Sequence, residues 1–251
     1  MKIKKDMVAG LMVITVIAAL VIGINVYRKY SVRSSLAARI AELGPHGGPP
    51  ATIEGLREAI TLYEAQIEQH VKDAAQTGVY WKILATRLQD RGLHTEALNA
   101  LARAIEYTPE DPALLYLQGI SAAVVAKSYY NNAMSGGELT QQNYYFSLAE
   151  HSYLRAIQLD SDYGRPRYGL GILYVFELDR PEEAIPHLEH YTDISKNNVD
   201  GMFVLARAYY MAGQNQRALA VYDRISSLTK DPKKQAEAEQ NKRAILGLPN
   251  G

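Results

Sequence analysis

The spacing of apolar residues changes character several times along the chain. From Met7 to Tyr27, "MVAGLMVITVIAALVIGINVY", 21 residues pass without a charge. As a helix rising about 1.5 Å per residue this run is about 31 Å long, enough to cross a bilayer. "GPHGGPP", Gly44–Pro50, then places three Pro and three Gly in seven residues, which no helix continues through. Beyond it Ile53, Leu56, Ile60, Tyr63, Ile67 and Val71 recur at three and four, one face of a further helix. From Tyr80 the apolar residues fall into helix pairs. In the first pair, helix A carries Tyr80, Trp81, Leu84, Ala85 and Leu88, the chain turns at Gly92, and helix B carries Ala97, Leu101, Ala104 and Ile105. "TPEDP", Thr108–Pro112, ends it, Pro109 breaking helix B and Pro112 opening the next helix.

Alanine sets a period. Ala97, Ala149, Ala184 and Ala218 hold equivalent places in "TEALNALARAI", "SLAEHSYLRAI", "EEAIPHLEHYTDI" and "QRALAVYDRI", at steps of 52, 35 and 34 residues. A period near 34 signals a stack of helix-turn-helix units. The step of 52 exceeds it by 18 residues, which fall near 127–145 within "KSYYNNAMSGGELTQQNYYF". That stretch predicts a helical hairpin inside the second repeat, about two turns longer than its neighbours. Ser135-Gly136-Gly137 is expected as its turn and Thr140 as an N-cap. Tyr129, Tyr130, Tyr144, Tyr145 and Phe146 lie along the hairpin, either pairing across it or contacting a partner.

The expected fold class is therefore all-α, a helical solenoid preceded by one transmembrane helix. The organisation follows: residues 1–29 a tail and anchor, 30–51 a juxtamembrane segment and Gly/Pro linker, 52–77 an N-terminal helix, 78–232 four repeats, and 233–251 a polar capping helix. The helix over 52–77 either caps the solenoid as a lone helix B or lies in its groove. "NVYRKYSVR" after the apolar run offers no small-x-small cleavage site, which favours a retained anchor over a cleaved signal. Lys2, Lys4 and Lys5 before the run are matched by Arg28, Lys29 and Arg33 after it, so positive charge does not decide orientation. The expected placement is a bacterial inner membrane with the repeats periplasmic; a cytosol-facing body is the alternative.

Composition narrows the chemistry. Beyond residue 29 the chain holds 22 bases and 26 acids, a balance of −4 that argues against a nucleic-acid footprint. There is no cysteine, so disulfides, thiolate metal sites and thiol nucleophiles are excluded. His187 and His190, in "HLEH", stand three apart on one helix as half of a metal site, but no third ligand is evident and they are expected as a solvated pair. No phosphate-binding, dinucleotide-binding or nucleophile-elbow motif occurs. Glu182–Glu183 suits a helix start, where the dipole favours acids. The expectation is a protein without catalysis, cofactor, metal or small-molecule substrate.

The repeats resemble the tetratricopeptide repeat (TPR) family. The first carries its pattern as Trp81, Leu84, Ala85, Gly92, Ala97, Leu101, Ala104 and Pro109; the fourth carries Leu205, Ala206, Tyr209, Gly213, Ala218 and Tyr222. The second and third depart, with Ser161 and Lys196 where Pro is usual and Tyr191 in place of a small residue. The resemblance implies a concave groove, lined by the A helices, that holds extended or helical peptides. By helical phase Lys82, Thr86 and Gln89 face inward in repeat one, followed by Tyr116, Ile120, Tyr168, Ile172, Phe176, Phe203, Arg207 and Tyr210. The competing reading puts several of these in the inter-helix core. The basic clamp of chaperone-adaptor members is not matched beyond Lys82, and the aromatic lining implies an apolar or amphipathic ligand. The resemblance implies a membrane-anchored interaction scaffold with a protein partner, organising an envelope or periplasmic assembly such as a secretion-associated or flagellar collar-type machine. The alternative is a client-binding chaperone or import receptor.

Overall fold

A computed structural model describes residues 52–130 and 136–248, together with Ile24. Helices account for the regular structure, with no strand among the described residues: α1 Ile53–Asp90, α2 His94–Tyr107, α3 Pro112–Tyr130, α4 Gly136–Leu159, α5 Gly164–Ile172 continued by a π-helical turn Leu173–Glu177, α6 Pro181–Ile194, α7 Val199–Met211, α8 Asn215–Leu228 and α9 Pro232–Leu246. Contacts divide the chain into two units, Met1–Ala74 and Ala75–Gly251. The expected span Met7–Tyr27, the linker and the juxtamembrane segment lie outside the described residues. Among those described, no helix is long and apolar enough to cross a membrane.

In the first unit the described chain is helical from Ile53, and its apolar stripe is open to solvent: Ile53 is 66% exposed and Ile67 62%. The helix expected over 52–77 does not end there but belongs to the 38-residue α1, which also supplies helix A of the first repeat. The local reason is that nothing between Lys72 and Trp81 stops a helix. Gly78, the single weak former, costs only about 1 kcal/mol there. Its lack of a side chain is used: a Cβ would stand 2.8 Å from Tyr107 Cβ.

In the second unit the helix pairs are built on small residues. Ala85, Ala97, Ala149, Ala184, Ala206 and Ala218 are fully buried. A Cβ on Gly171 would fall 2.4 Å from Leu188, so that crossing is closer than even alanine permits. The turns between A and B helices need a left-handed residue five positions before the marker alanine. Gly92 (φ 74°) and Gly213 (φ 73°) supply it in the first and fourth repeats, and Asp179 (φ 52°) in the third. Tyr191, the bulky departure, is buried because two glycines vacate its site: a Cβ on Gly201 would lie 2.5 Å from its ring, and one on Gly164 3.2 Å.

The insertion is a helical hairpin, α3 and α4. These run 19 and 24 residues, against 13 and 14 for the pair α7 and α8. Gly136 and Gly137, expected in the turn, instead form the first turn of α4, so that helix starts before Thr140. Tyr129 and Tyr145 stack across the hairpin with centroids 5.8 Å apart and planes 13° apart, and Phe146 is buried. Tyr144 meets Tyr145 edge-on at 5.1 Å yet is 60% exposed. The side chain of Tyr130 lies outside the described set.

Candidate functional site

Four of the residues with inward phase come together in one pocket. Phe176, Phe203, Arg207 and Tyr210 line a cavity of about 280 Å³ with Val204, Tyr222, Glu237, Asn241, Ala244 and Ile245. Three features of the chain build it. The π-helical turn at Leu173–Glu177 adds a residue to the end of helix A and leaves Phe176 54% exposed beside the buried Tyr174 and Val175. Helix α7 presents Phe203, Arg207 and Tyr210 at spacings of four and three, one face. Helix α9, expected only as a polar cap, supplies the opposite wall.

The pocket is apolar below and charged at its lip. Phe203 packs on Tyr222 with ring centroids 6.0 Å apart. Burial raises the Tyr222 hydroxyl above its ordinary pKa, Arg207 pulling the other way and Glu237 adding to the rise, so both charges lie near that phenol. Neither Arg207 nor Glu237 has an ion-pair partner among the described residues. An exposed guanidinium in an aromatic-lined pocket is therefore open to an anionic group, and Asn241 adds an amide for backbone hydrogen bonding. Phe176 also borders a wider cleft of about 630 Å³ with Lys127, Gln142, Asn143, Phe146, Glu177 and Leu178, against the insertion hairpin. There Lys127 Nζ pairs with Glu177 Oε1 at 2.7 Å.

The remaining inward residues do not line this pocket. Tyr116, Ile120, Tyr168 and Ile172 are partly buried against the main core. Tyr116 meets Tyr163 edge-on at 5.6 Å, and Tyr168 stacks on Tyr191 at 4.9 Å, so this part of the aromatic line holds helix to helix. In repeat one Lys82 Nζ is paired with Asp111 Oδ2 at 2.7 Å. Burial opposes ionisation of Asp111, but Lys82 and the N–H groups of Ala113 and Leu114 outweigh it and hold its pKa down. Gln89 Nε2 donates to Leu117 O and to Ser121 Oγ, both at 2.8 Å, which ties repeat one to repeat two. Tyr80 is 64% exposed and Leu84 44%, so the expected face of that helix is only partly covered.

A second arrangement went unread in the sequence. Tyr174 Oη donates to Glu150 Oε1 at 2.8 Å, and Arg180 donates to the same oxygen at 2.9 Å while lying 4.6 Å over the Tyr174 ring. One repeat later Tyr209 Oη donates to Glu189 Oε1 at 2.5 Å, and Arg217 pairs with Glu189 and lies 4.2 Å over the Tyr209 ring. Burial, then the Glu partner, raises both phenols well above the ordinary tyrosine pKa, so they stay protonated as donors. Each cluster links a B helix to the A helix of the next repeat. The tyrosines stand 35 residues apart, a signal the period alone could have flagged.

The histidines are not a solvated pair. His187 and His190 are half-buried, and His187 Nδ1 and His190 Nε2 are enclosed without hydrogen-bond partners. Burial, with Arg167 and His190 adding to it, lowers the pKa of His187, so it stays neutral beside Tyr174 at 6.2 Å. The cause is their position on α6, which packs against both α5 and α7. No three His, Asp or Glu side chains converge as metal ligands among the described residues.

Comparison with known proteins matches this geometry. Residues 84–129 and 175–241 each match a tetratricopeptide repeat family. A TPR repeat-containing protein of Borreliella burgdorferi is 22% identical over 214 residues, covering 85% of this chain and 87% of its own. The fold is similar to YrrB, a TPR protein with an unusual peptide-binding site, at TM-score 0.56 and 18% identity over 72% of this chain and 81% of that one. It is also similar to MamA from Desulfovibrio magneticus RS-1, at TM-score 0.56 and 18% identity over 67% and 83%. The chain is thus similar to tetratricopeptide repeat proteins over these two segments, and the insertion, the glycine-relieved Tyr191 and the π-turn are local departures from its own helix-pair period.

Proposed function

We propose that this chain is a non-catalytic interaction scaffold that captures one segment of a partner protein in the pocket between α7 and α9. The observation that carries the reading is the pocket itself: aromatic walls, with Arg207 and Glu237 both lacking an ion-pair partner among the described residues, at one concave site. The ligand is an apolar anchor side chain flanked by an acidic one, the anchor against Phe176, Phe203 and Tyr210 and the acid on Arg207. A peptide site in YrrB, a protein of similar fold, supports the class of ligand. We further propose that Met7–Tyr27 anchors the scaffold at a membrane, with the repeats on the periplasmic side of a bacterial envelope, where they hold a larger assembly together. The uncharged length of that run is the support.

The test is site-specific photocrosslinking from Tyr210, with Arg224 on α8 as the outward control. A scaffold gives one adduct of defined mass from Tyr210, lost in Phe176→Ser/Arg207→Glu. A ladder of many weak adducts would instead indicate a client-binding receptor. An adduct from Arg224 alone would move the site off the concave face. Carbonate extraction of membranes tests the anchor separately, and release of the chain into the soluble fraction would overturn it.

A further inference from the structure

The open stripe on the first unit has a period that its neighbours lack. Ile53, Leu56, Ile60, Tyr63 and Ile67 alternate strictly at three and four, and the series continues at His70 and Ala74. That is a repeat of 3.5 residues sustained over three heptads, the spacing of a supercoiled seam rather than of a helix lying on a globular core. In heptad terms Ile53, Ile60, Ile67 and Ala74 hold the a positions and Leu56, Tyr63 and His70 the d positions, with Val71 beside the seam. The five apolar seam residues from Ile53 to Ile67 are 42–66% exposed. The outer faces are polar and satisfied within the helix: Lys72 Nζ pairs with Glu68 Oε1 at 2.6 Å, and Gln69 Nε2 donates to Asp73 Oδ1 at 2.9 Å.

We propose that residues 53–74 form a parallel two-stranded coiled coil with a second copy of this chain. Three arguments select that occupant. Ile at three successive a positions is the β-branched choice that favours two parallel strands, and Leu56 completes it at the first d position, with Tyr63 and His70 at the next two. No like charges oppose each other across such a seam: each g residue faces the e residue five positions on, which pairs Ala59 with Glu64 and Gln66 with Val71. The area is also sufficient. At about 100 Å² for each half-exposed apolar side chain, the order implied by its transfer energy, Val71 and the five seam residues offer about 600 Å² per copy. Two copies together bury about 1,200 Å², the lower edge for a stable interface.

The absence of cysteine makes the test direct. Leu56→Cys places a thiol at the seam, and Ala65→Cys places one on the outer face. The full-length chain carrying either substitution is treated in the membranes of the expressing cell with a short bismaleimide. The expected result is a band at twice the chain mass, at least tenfold stronger from Leu56→Cys than from Ala65→Cys. Adding Ile60→Glu and Ile67→Glu to Leu56→Cys abolishes it, and differently tagged copies no longer co-purify. Equal linkage from both positions, no dimer from Leu56→Cys, linkage that survives the two glutamates, or a product with another protein's mass would each overturn the proposal. The last two results, and an unlinked monomer, point instead to residues 1–51 or a different partner on the stripe. None of these outcomes bears on the pocket, whose crosslink from Tyr210 is read in the same cells.

Discussion

Gly119→Ala is a sharp test of the packing. In isolation the change favours a helix, by about 1 kcal/mol. In this fold it drives a methyl into the Tyr153 ring: the new Cβ would stand 2.4, 2.6 and 2.8 Å from Cε1, Cδ1 and Cζ. The ring has little room to withdraw, because Gly169 also crowds it, where a Cβ would lie 2.8 Å from Cζ, and Tyr153 is 4% exposed. Relief requires α3 and α5 to move apart, an overpacking cost at the upper end of about 1–3 kcal/mol. The net expectation is a loss of about 1–2 kcal/mol. At roughly 2–4 °C per kcal/mol for a unit of this size, the melting temperature by circular dichroism falls by about 2–8 °C. Tyr153→Leu removes the obstacle, so in that background Gly119→Ala should be neutral or stabilising and the double-mutant cycle non-additive by more than about 1 kcal/mol. A higher melting temperature for Gly119→Ala alone, or an additive cycle, would refute the packing argument.

Asp179→Gly relieves a left-handed residue in the turn where Gly92 and Gly213 stand in other repeats, and should raise stability in urea titration by about 0.5–1 kcal/mol. Ala218→Leu overfills a fully buried crossing and should cost about 1–3 kcal/mol in the same titration. His187 is neutral in the fold with its pKa lowered by burial, so the unfolded chain binds the extra proton. Its contribution is complete above about pH 6.5 and is lost as pH falls below it; thermal melts from pH 7.5 to 5.5 should show a decline that His187→Phe flattens. Tyr144→Ser, at an exposed ring of the hairpin, should leave melting within about 0.5 kcal/mol of the parent, and a larger loss would make that ring core.

The solenoid was legible because its signals are local and repeated. The 34-residue step of the alanines, Gly92 and Gly213 at two of the tight turns and Pro109 after the first helix B mark crossings and turns that the repeats share. Phase was less informative. On an A helix one face meets both the next repeat and the groove, so Tyr116 and Tyr168 look the same in sequence as Phe203 and Tyr210. Which of them is covered depends on Tyr163 and Tyr191, which reach in from elsewhere in the stack. Helix α9 hid its role in composition: Ala238, Asn241 and Ile245 follow helical spacing, but the lysines and glutamates around them read as a cap. The continuity of α1 through Gly78 was illegible because glycine alone weakens a helix without ending it.

The departures from the repeat pattern are concentrated, and where they fall bears on function. The third repeat holds the non-glycine left-handed turn at Asp179, the π-turn that turns out Phe176, and the bulky Tyr191 relieved by Gly164 and Gly201. Each breaks a local rule that its neighbours keep. The repeat tolerates them because it is held from both sides: Tyr174 and Arg180 fasten it to Glu150 before it, and Glu189 fastens it to Tyr209 and Arg217 after it. Strained or irregular backbone persists where the surroundings over-determine it. Here that backbone carries the one aromatic ring shared by the α7–α9 pocket and the cleft beside the hairpin. The regular positions thus build a stiff frame, and the irregular third repeat is where the frame turns Phe176 out to solvent.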